Sequence, residues 1–278
     1  MSAQTVTPEL KAWIVAQATS GVSAEASLEA MRQSGWEEDV AIAALESTLT
    51  EHLARINTPP VPVPQVKGGL DGTTIEIDGH EIGIVASLHH PRVVVFSNLL
   101  TPAECDEIIA LGSMRLARSE TVETETGSSE VSDARTSDGM FFERGEFEVC
   151  ARIEARIATL LGWPVENGEG LQVLRYRPGA EYKPHYDYFD PERPGTPAIL
   201  KRGGQRVASL VCYLNTPDRG GATIFPDVGL AVAPIRGNAV FFSYDRPHPS
   251  TRSLHGGAPV IEGEKWVATK WLRERRFD

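Results

Sequence analysis

The run Thr58-Pro-Pro-Val-Pro-Val-Pro-Gln-Val-Lys-Gly-Gly69 divides this chain into two stretches that cannot fold by the same rule. Its prolines fix φ and lack an N–H, so the run is stiff and barred from regular pairing. Residues 58–71 are therefore read as a linker. Before it, residues 1–57 place apolar side chains at steps of three and four. Pro8 opens a helix carrying Leu10, Trp13, Ile14 and Gln17 until Gly21 ends the pattern. Ser23 caps a second helix with Leu28 and Met31, which ends near Gly35-Trp36. A third carries Ile42, Leu45, Leu49, Leu53 and Ile56 along one stripe. Three helices this short bury their stripes against one another or against a partner.

From residue 72 to 278 the period becomes two. Thr74–Asp78 alternates and turns at Gly79 into Glu81–Val85, a hairpin, and Arg92–Phe96 is a compact strand. Thr101-Pro-Ala-Glu104 reads as a capping box opening a helix to about Leu111, and Phe147–Leu161 has helical spacing. Ser119–Asp138 is polar and reads as a long loop, placed to act as a lid. After Gly168 come Leu171–Tyr176, Arg206–Leu214, Ala222–Phe225, Leu230–Val232, Ala239–Tyr244 and Lys265–Leu272, punctuated by Gly and Pro. Many short strands after helices predict an α+β fold: a double-stranded β-helix (jelly roll) braced by helices, with a small N-terminal helical bundle.

With 41% hydrophobic residues, including 5 Trp and 9 Phe, the chain can build a sizeable core. Its net charge of −11 repels nucleic acid and anionic membranes on average, so neither is expected as a partner. Cys105, Cys150 and Cys212 form no CxxC pair, which leaves a zinc ribbon or dithiol redox site unsupported. The first residues show no signal-peptide pattern, and no apolar run nears the ~20 residues that span a bilayer. These features predict a soluble, cytoplasmic protein.

Chemistry concentrates in three places. In Tyr182-Lys-Pro-His185-Tyr186-Asp187, His185 and Asp187 are two apart, so on an extended segment both point to one side, roughly 6.6 Å apart along the chain. Alone, His-x-Asp is more often a surface polar pair. His255 stands seventy positions later, where a distant strand would deliver the third ligand of a two-His, one-carboxylate triad. His248 in Arg246-Pro-His-Pro249 is a rival third ligand, and zinc is a rival metal. Ten residues after His255, alternation puts Lys265, Val267, Thr269 and Trp271 on one strand face. A lysine turned inward needs an anion, and a dicarboxylate cosubstrate supplies one; the competing reading turns this face to water.

The conjunction of His-x-Asp, a later His and a Lys ten residues beyond it resembles the prolyl 4-hydroxylases, of the bacterial type, within the iron(II)/2-oxoglutarate dioxygenases. Arg135-Thr-Ser-Asp-Gly-Met140, Tyr176-Arg-Pro-Gly179, Gly203-Gly-Gln-Arg206 and Gly220-Gly-Ala-Thr-Ile-Phe-Pro226 resemble that family's blocks in order, over about two thirds of the chain. The resemblance implies iron(II) on His185, Asp187 and His255. It implies 2-oxoglutarate on Lys265, helped by Tyr176 and Thr223, with dioxygen as co-reactant and ascorbate as reductant. It implies a proline-containing peptide or protein lying on Arg135, Ser137, Glu169, Tyr182, Arg206 and Trp271. At Arg273 this chain departs from the His that relatives often carry. Asp187 argues against a halogenase, and Lys265 with the acidic balance against a nucleic-acid demethylase. The rivals kept are a hydroxylase of a free amino acid or other small molecule, and a non-catalytic cupin-like binding protein. Residues 1–57, where Gly35-Trp36 and Ala43-Ala-Leu45 resemble a ubiquitin-associated fold, are read as a surface for a protein partner or for self-association.

Overall fold

A computed structural model describes residues 4–56, 60–118, 120–122, 129–131 and 135–278. The chain falls into two compact units, Met1–Pro59 and Pro60–Asp278. The first is built from helices Pro8–Thr19, Ala24–Gln33 and Glu38–Ile56. The Thr7 hydroxyl accepts from Leu10 N–H and the Ser23 hydroxyl from Ala26 N–H, satisfying donors that the first turns leave open. Ile14, Met31, Ala41, Ala44 and Leu45 form its core. In the third helix Leu45 is buried and Leu49 packs against the core, as the predicted stripe requires, while Ala41, Ala44 and Thr48 complete the buried face and Leu53 is exposed.

The second unit packs a large antiparallel sheet against a small one. The larger runs, strand by strand, Thr74–Ile77, His80–Leu88, Arg92–Ser97, Ala239–Ser243, Arg206–Tyr213, Lys265–Arg273, Leu171–Tyr176, Asp138–Phe142 and Ala117–Arg118. The smaller is Leu230–Val232, Thr223–Phe225, His255–Gly257 and Tyr182–His185. This is the double-stranded β-helix expected. The opening hairpin turns on Asp78 and Gly79, both with positive φ, between paired Ile77 and His80; a two-residue turn of this hand matches the strand twist.

Alternation divides the core into two layers. Ala208, Leu210, Cys212, Trp266, Ala268 and Leu272 pack with Cys105, Ile108, Ile153 and Ile157 of helices Pro102–Ser113 and Glu148–Leu161. Tyr213, Val240, Phe242 and Val267 pack instead with Tyr176, Phe225 and Val232, between the sheets. The Thr101–Glu104 capping box forms as predicted, and the Glu104 carboxylate also receives hydrogen bonds from Arg156 (2.7 and 2.8 Å) and Arg152 (3.0 Å).

From Pro60 onward the segment read as linker runs along this unit. Val61 N–H donates to Asp245 O, Gln65 N–H to Leu161 O and Lys67 N–H to Leu160 O, while Val66 enters the core. Half of the proposed Ser119–Asp138 loop lies outside the described residues, and within the rest Glu120–Val122 and Ser129–Val131 pair as antiparallel strands where a loop was expected.

Candidate active site

The Tyr182–His185 strand pairs with His255–Gly257 so that His255 faces His185. Asp187 follows two residues later, and the ligand atoms of all three lie within 4.8 Å of one another. Each imidazole Nε2 stands 3.5 Å from an Asp187 oxygen. Each Nδ1 is 2.9–3.0 Å from the carbonyl two residues before it, Lys183 O for His185 and Ser253 O for His255. Since a carbonyl only accepts, Nδ1 carries the proton and Nε2 keeps a free lone pair. Burial, reinforced by the neighbouring His185, outweighs Asp187 and lowers His255 to about 4, so it stands neutral at pH 7. Burial alone would raise the Asp187 carboxyl, but His255, His185 and Arg206 hold it far below the carboxylate range. Two imidazoles and one carboxylate on one side of a cation leave the other side open, a donor set that fits iron(II).

The cluster lines an open cavity, and Lys265 lines it too. Alternation did set the face: Lys265, Val267, Thr269 and Trp271 all line it. Lys265 is 4% exposed, and among the described residues no carboxylate pairs with it. Its Nζ lies 5.5 and 5.7 Å from the rings of Tyr176 and Tyr213. Burial lowers its pKa to about 8. Gly221, at φ +73°, lets the backbone pass beside it, because a Cβ there would sit 3.1 Å from Lys265 Cδ. Thr223 lines the same wall and accepts from Tyr213 Oη at 2.9 Å.

Of the six residues expected at the substrate, Arg135, Tyr182 and Trp271 line the cavity. Tyr182 stacks on His185 with centroids 3.7 Å apart, and Arg135 lies over the Tyr182 ring at 5.1 Å. Ser137, Glu169 and Arg206 stand behind that lining. Arg206 gives two hydrogen bonds to Glu169 (2.7 and 2.9 Å) and stacks on Trp271 at 3.9 Å, so the pair braces the indole. His248 caps the Pro249–Thr251 turn, accepting from Ser250 N–H, and is not in the cluster. Sequence reading missed Gln172, Leu174 and Val211 of the lining and the Ser209 hydroxyl, 2.5 Å from Asp187 Oδ2. Carrying the Lys265 alternation across the paired strands would have found them, because Gln172 pairs with Thr269 and Ser209 with Trp271.

A jelly roll holding two histidines, one carboxylate and a buried lysine in one cavity defines a class of oxygenase. Residues 171–273 match the family model of the 2OG-Fe(II) oxygenase superfamily. Prolyl 4-hydroxylase 2 of Arabidopsis thaliana is 41% identical over 211 residues, 68% of this chain and 69% of that protein. Prolyl 4-hydroxylase 1 of the same plant is 43% identical over 202 residues, 66% of this chain and 70% of that protein. The crystal structure of a viral collagen prolyl hydroxylase from Paramecium Bursaria Chlorella virus-1, in its 2OG complex, is similar with a TM-score of 0.50 at 29% identity, over 65% of this chain and 95% of that one. The chain belongs to the prolyl 4-hydroxylase family of iron(II)- and 2-oxoglutarate-dependent dioxygenases.

Proposed function

We propose that this enzyme hydroxylates prolyl residues within a peptide or protein, with iron(II) on His185, Asp187 and His255 and 2-oxoglutarate anchored by Lys265. The observation that carries this is the buried Lys265 ammonium, with no carboxylate partner among the described residues, in the same cavity as the ligand cluster. Bound iron supplies the activation of dioxygen, coupled to oxidative decarboxylation of 2-oxoglutarate to succinate and CO2. The protein's own part is placement. Lys265 gives a charge-assisted hydrogen bond to the far carboxylate, with Thr223 and Tyr176 hydroxyls beside it. Tyr182 and Trp271 offer flat apolar walls to a pyrrolidine ring, and Arg135 a donor to the backbone carbonyls around it. Sites this spread suit an extended chain better than a free amino acid, which needs fixed partners for its own ammonium and carboxylate.

A cytoplasmic location belongs to the same proposal, supported by Cys105, Cys150 and Cys212, all buried free thiols. So does a partner-binding or self-associating role for the N-terminal bundle, supported by its separate core. Proline-rich peptides and free L-proline should be incubated in parallel with enzyme, iron(II) and 2-oxoglutarate, with and without ascorbate, and read by mass spectrometry and succinate release. A mass gain of one oxygen on peptide proline is expected. Turnover of free proline with no peptide hydroxylated would move the enzyme to the amino-acid hydroxylases.

A further inference from the structure

Two buried hydroxyls stand against the carboxylate of the metal cluster. Ser209 Oγ lies 2.5 Å from Asp187 Oδ2 and 3.0 Å from Tyr244 Oη. Ser209 is fully buried and Tyr244 nearly so. Counting donors fixes the direction of the contacts. An ionised carboxylate only accepts, so the single Ser209 proton goes to Asp187. Ser209 Oγ then accepts, and the Tyr244 phenol donates. The result is one directed chain, Tyr244 to Ser209 to Asp187. It ties the larger sheet, where Ser209 pairs with Phe242 and Tyr244 N–H bonds Val207 O, to the residue that follows the Tyr182–His185 strand of the smaller one.

We propose that Ser209 and Tyr244 are positioning residues that hold Asp187 as a one-oxygen ligand; this rests on the metal reading above. The need comes from counting places around an octahedral ion. Three protein atoms leave three places, which a chelating 2-oxo acid and dioxygen fill. A carboxylate closing on the ion with both oxygens would take one of them. A short, charge-assisted hydrogen bond to Oδ2 fixes the rotation of the carboxylate and engages that oxygen. Ser209 and Tyr244 are both buried, with Phe242 paired opposite Ser209 and its ring centroid 6.3 Å from that of Tyr244, which excludes competing water.

Co(II) serves as the probe, titrated into wild type, Ser209→Ala, Tyr244→Phe and the double variant, with affinity and d–d band intensity read by absorbance and folding by thermal melting. Ser209→Ala should bind Co(II) about 10- to 100-fold more weakly, the usual scale for losing a hydrogen bond behind a ligand. Its d–d bands should also change in position and intensity as the second carboxylate oxygen takes one of the three open places. Tyr244→Phe should lose less, since Ser209 still donates, and Ser209→Thr should restore binding. The double variant should match Ser209→Ala alone, because without that hydroxyl Tyr244 has nothing to act on. Unchanged affinity and spectrum in Ser209→Ala would overturn the inference, as would losses that multiply in the double variant. A wild-type chain that binds no Co(II) would overturn the metal reading as well, which distinguishes the two failures.

Discussion

Lys265 and Lys270 sit on one strand, both buried, and face opposite layers. Lys270 meets Glu154 at 2.5 Å and the Glu169 carbonyl, so its charge is answered inside the protein. Lys265 has no such partner among the described residues, and a bound anion would answer its charge. Lys265→Ala should therefore weaken 2-oxoglutarate by about 3 kcal/mol, on the order of 100-fold in KM, while metal affinity is kept. The pH dependence has a definite sign. With the pKa lowered to about 8 from 10.5, the ammonium that binds the carboxylate is lost from the free enzyme above pH 8. The apparent KM for 2-oxoglutarate should rise through that range, and Lys265→Arg, charged throughout, should flatten the rise. For the ligand-free fold the sign is opposite: the unfavourable buried charge disappears between about 8 and 10.5, so stability rises with pH there. Titrations of KM and of urea midpoint against pH check both limbs. At the metal, replacing His185, Asp187 or His255 by Ala should abolish iron binding and turnover, whereas His248→Ala should leave both intact. Metal analysis of the four variants decides between the two third ligands.

At the scale of elements, what could be read in the sequence depended on whether the partner was local. The capping box at Thr101–Glu104 spans four residues and was legible. The further pairing of Glu104 with Arg152 and Arg156 was not, since those residues are 48 and 52 positions away. The same limit hid Glu154 behind Lys270 and Glu169 behind Arg206. Alternation set the Lys265–Trp271 face correctly because both faces of a central strand are buried and a one-residue slip would exchange them. In the third helix the stripe marked Leu45 and Leu49 but not Ala41 and Ala44, whose small side chains no apolar step singles out. Glu104 gives this scale its own test. Burial alone would raise its carboxyl, but Arg156, the Thr101 N–H and Arg152 bring it to about 2. Because the folded pKa lies below the ordinary 4.5, the stabilisation is complete above pH 4.5 and lost as pH falls toward 2. Glu104→Ala should destabilise the protein by about 1.5–3 kcal/mol at neutral pH, since the bond to the Thr101 N–H is lost and the half-buried Arg156 keeps only its bond to Leu99 O. Glu104→Gln, which keeps the cap but not the charge, should lose less and show a flatter acid limb. Denaturant midpoints from pH 2 to 7 measure this.

For the whole molecule the question is where the catalytic unit begins. Composition alone would allow a cut anywhere in the Pro/Gly run, Gly68 included. The packing separates two positions within it. Residues 60–67 carry Val66, 7% exposed in the core, and three backbone hydrogen bonds that satisfy Leu160 O, Leu161 O and Asp245 O. Gln65 also accepts from Arg92 at 2.5 Å. A chain beginning at Pro60 keeps all of this, and a chain beginning at Gly68 loses it. Removing a buried valine costs about 1.5–3 kcal/mol and each lost hydrogen bond about 0.5–1.5. Pro60–Asp278 should therefore fold, bind metal and turn over 2-oxoglutarate as the full chain does. The chain from Gly68 should melt several degrees lower, with its site residues unchanged in identity. Side-by-side thermal melts and metal titrations of the three lengths check this. Loss of metal binding in Pro60–Asp278 would make the N-terminal bundle part of the catalytic machinery. Equal stability of the two truncated chains would instead return residues 60–67 to the role of spacer.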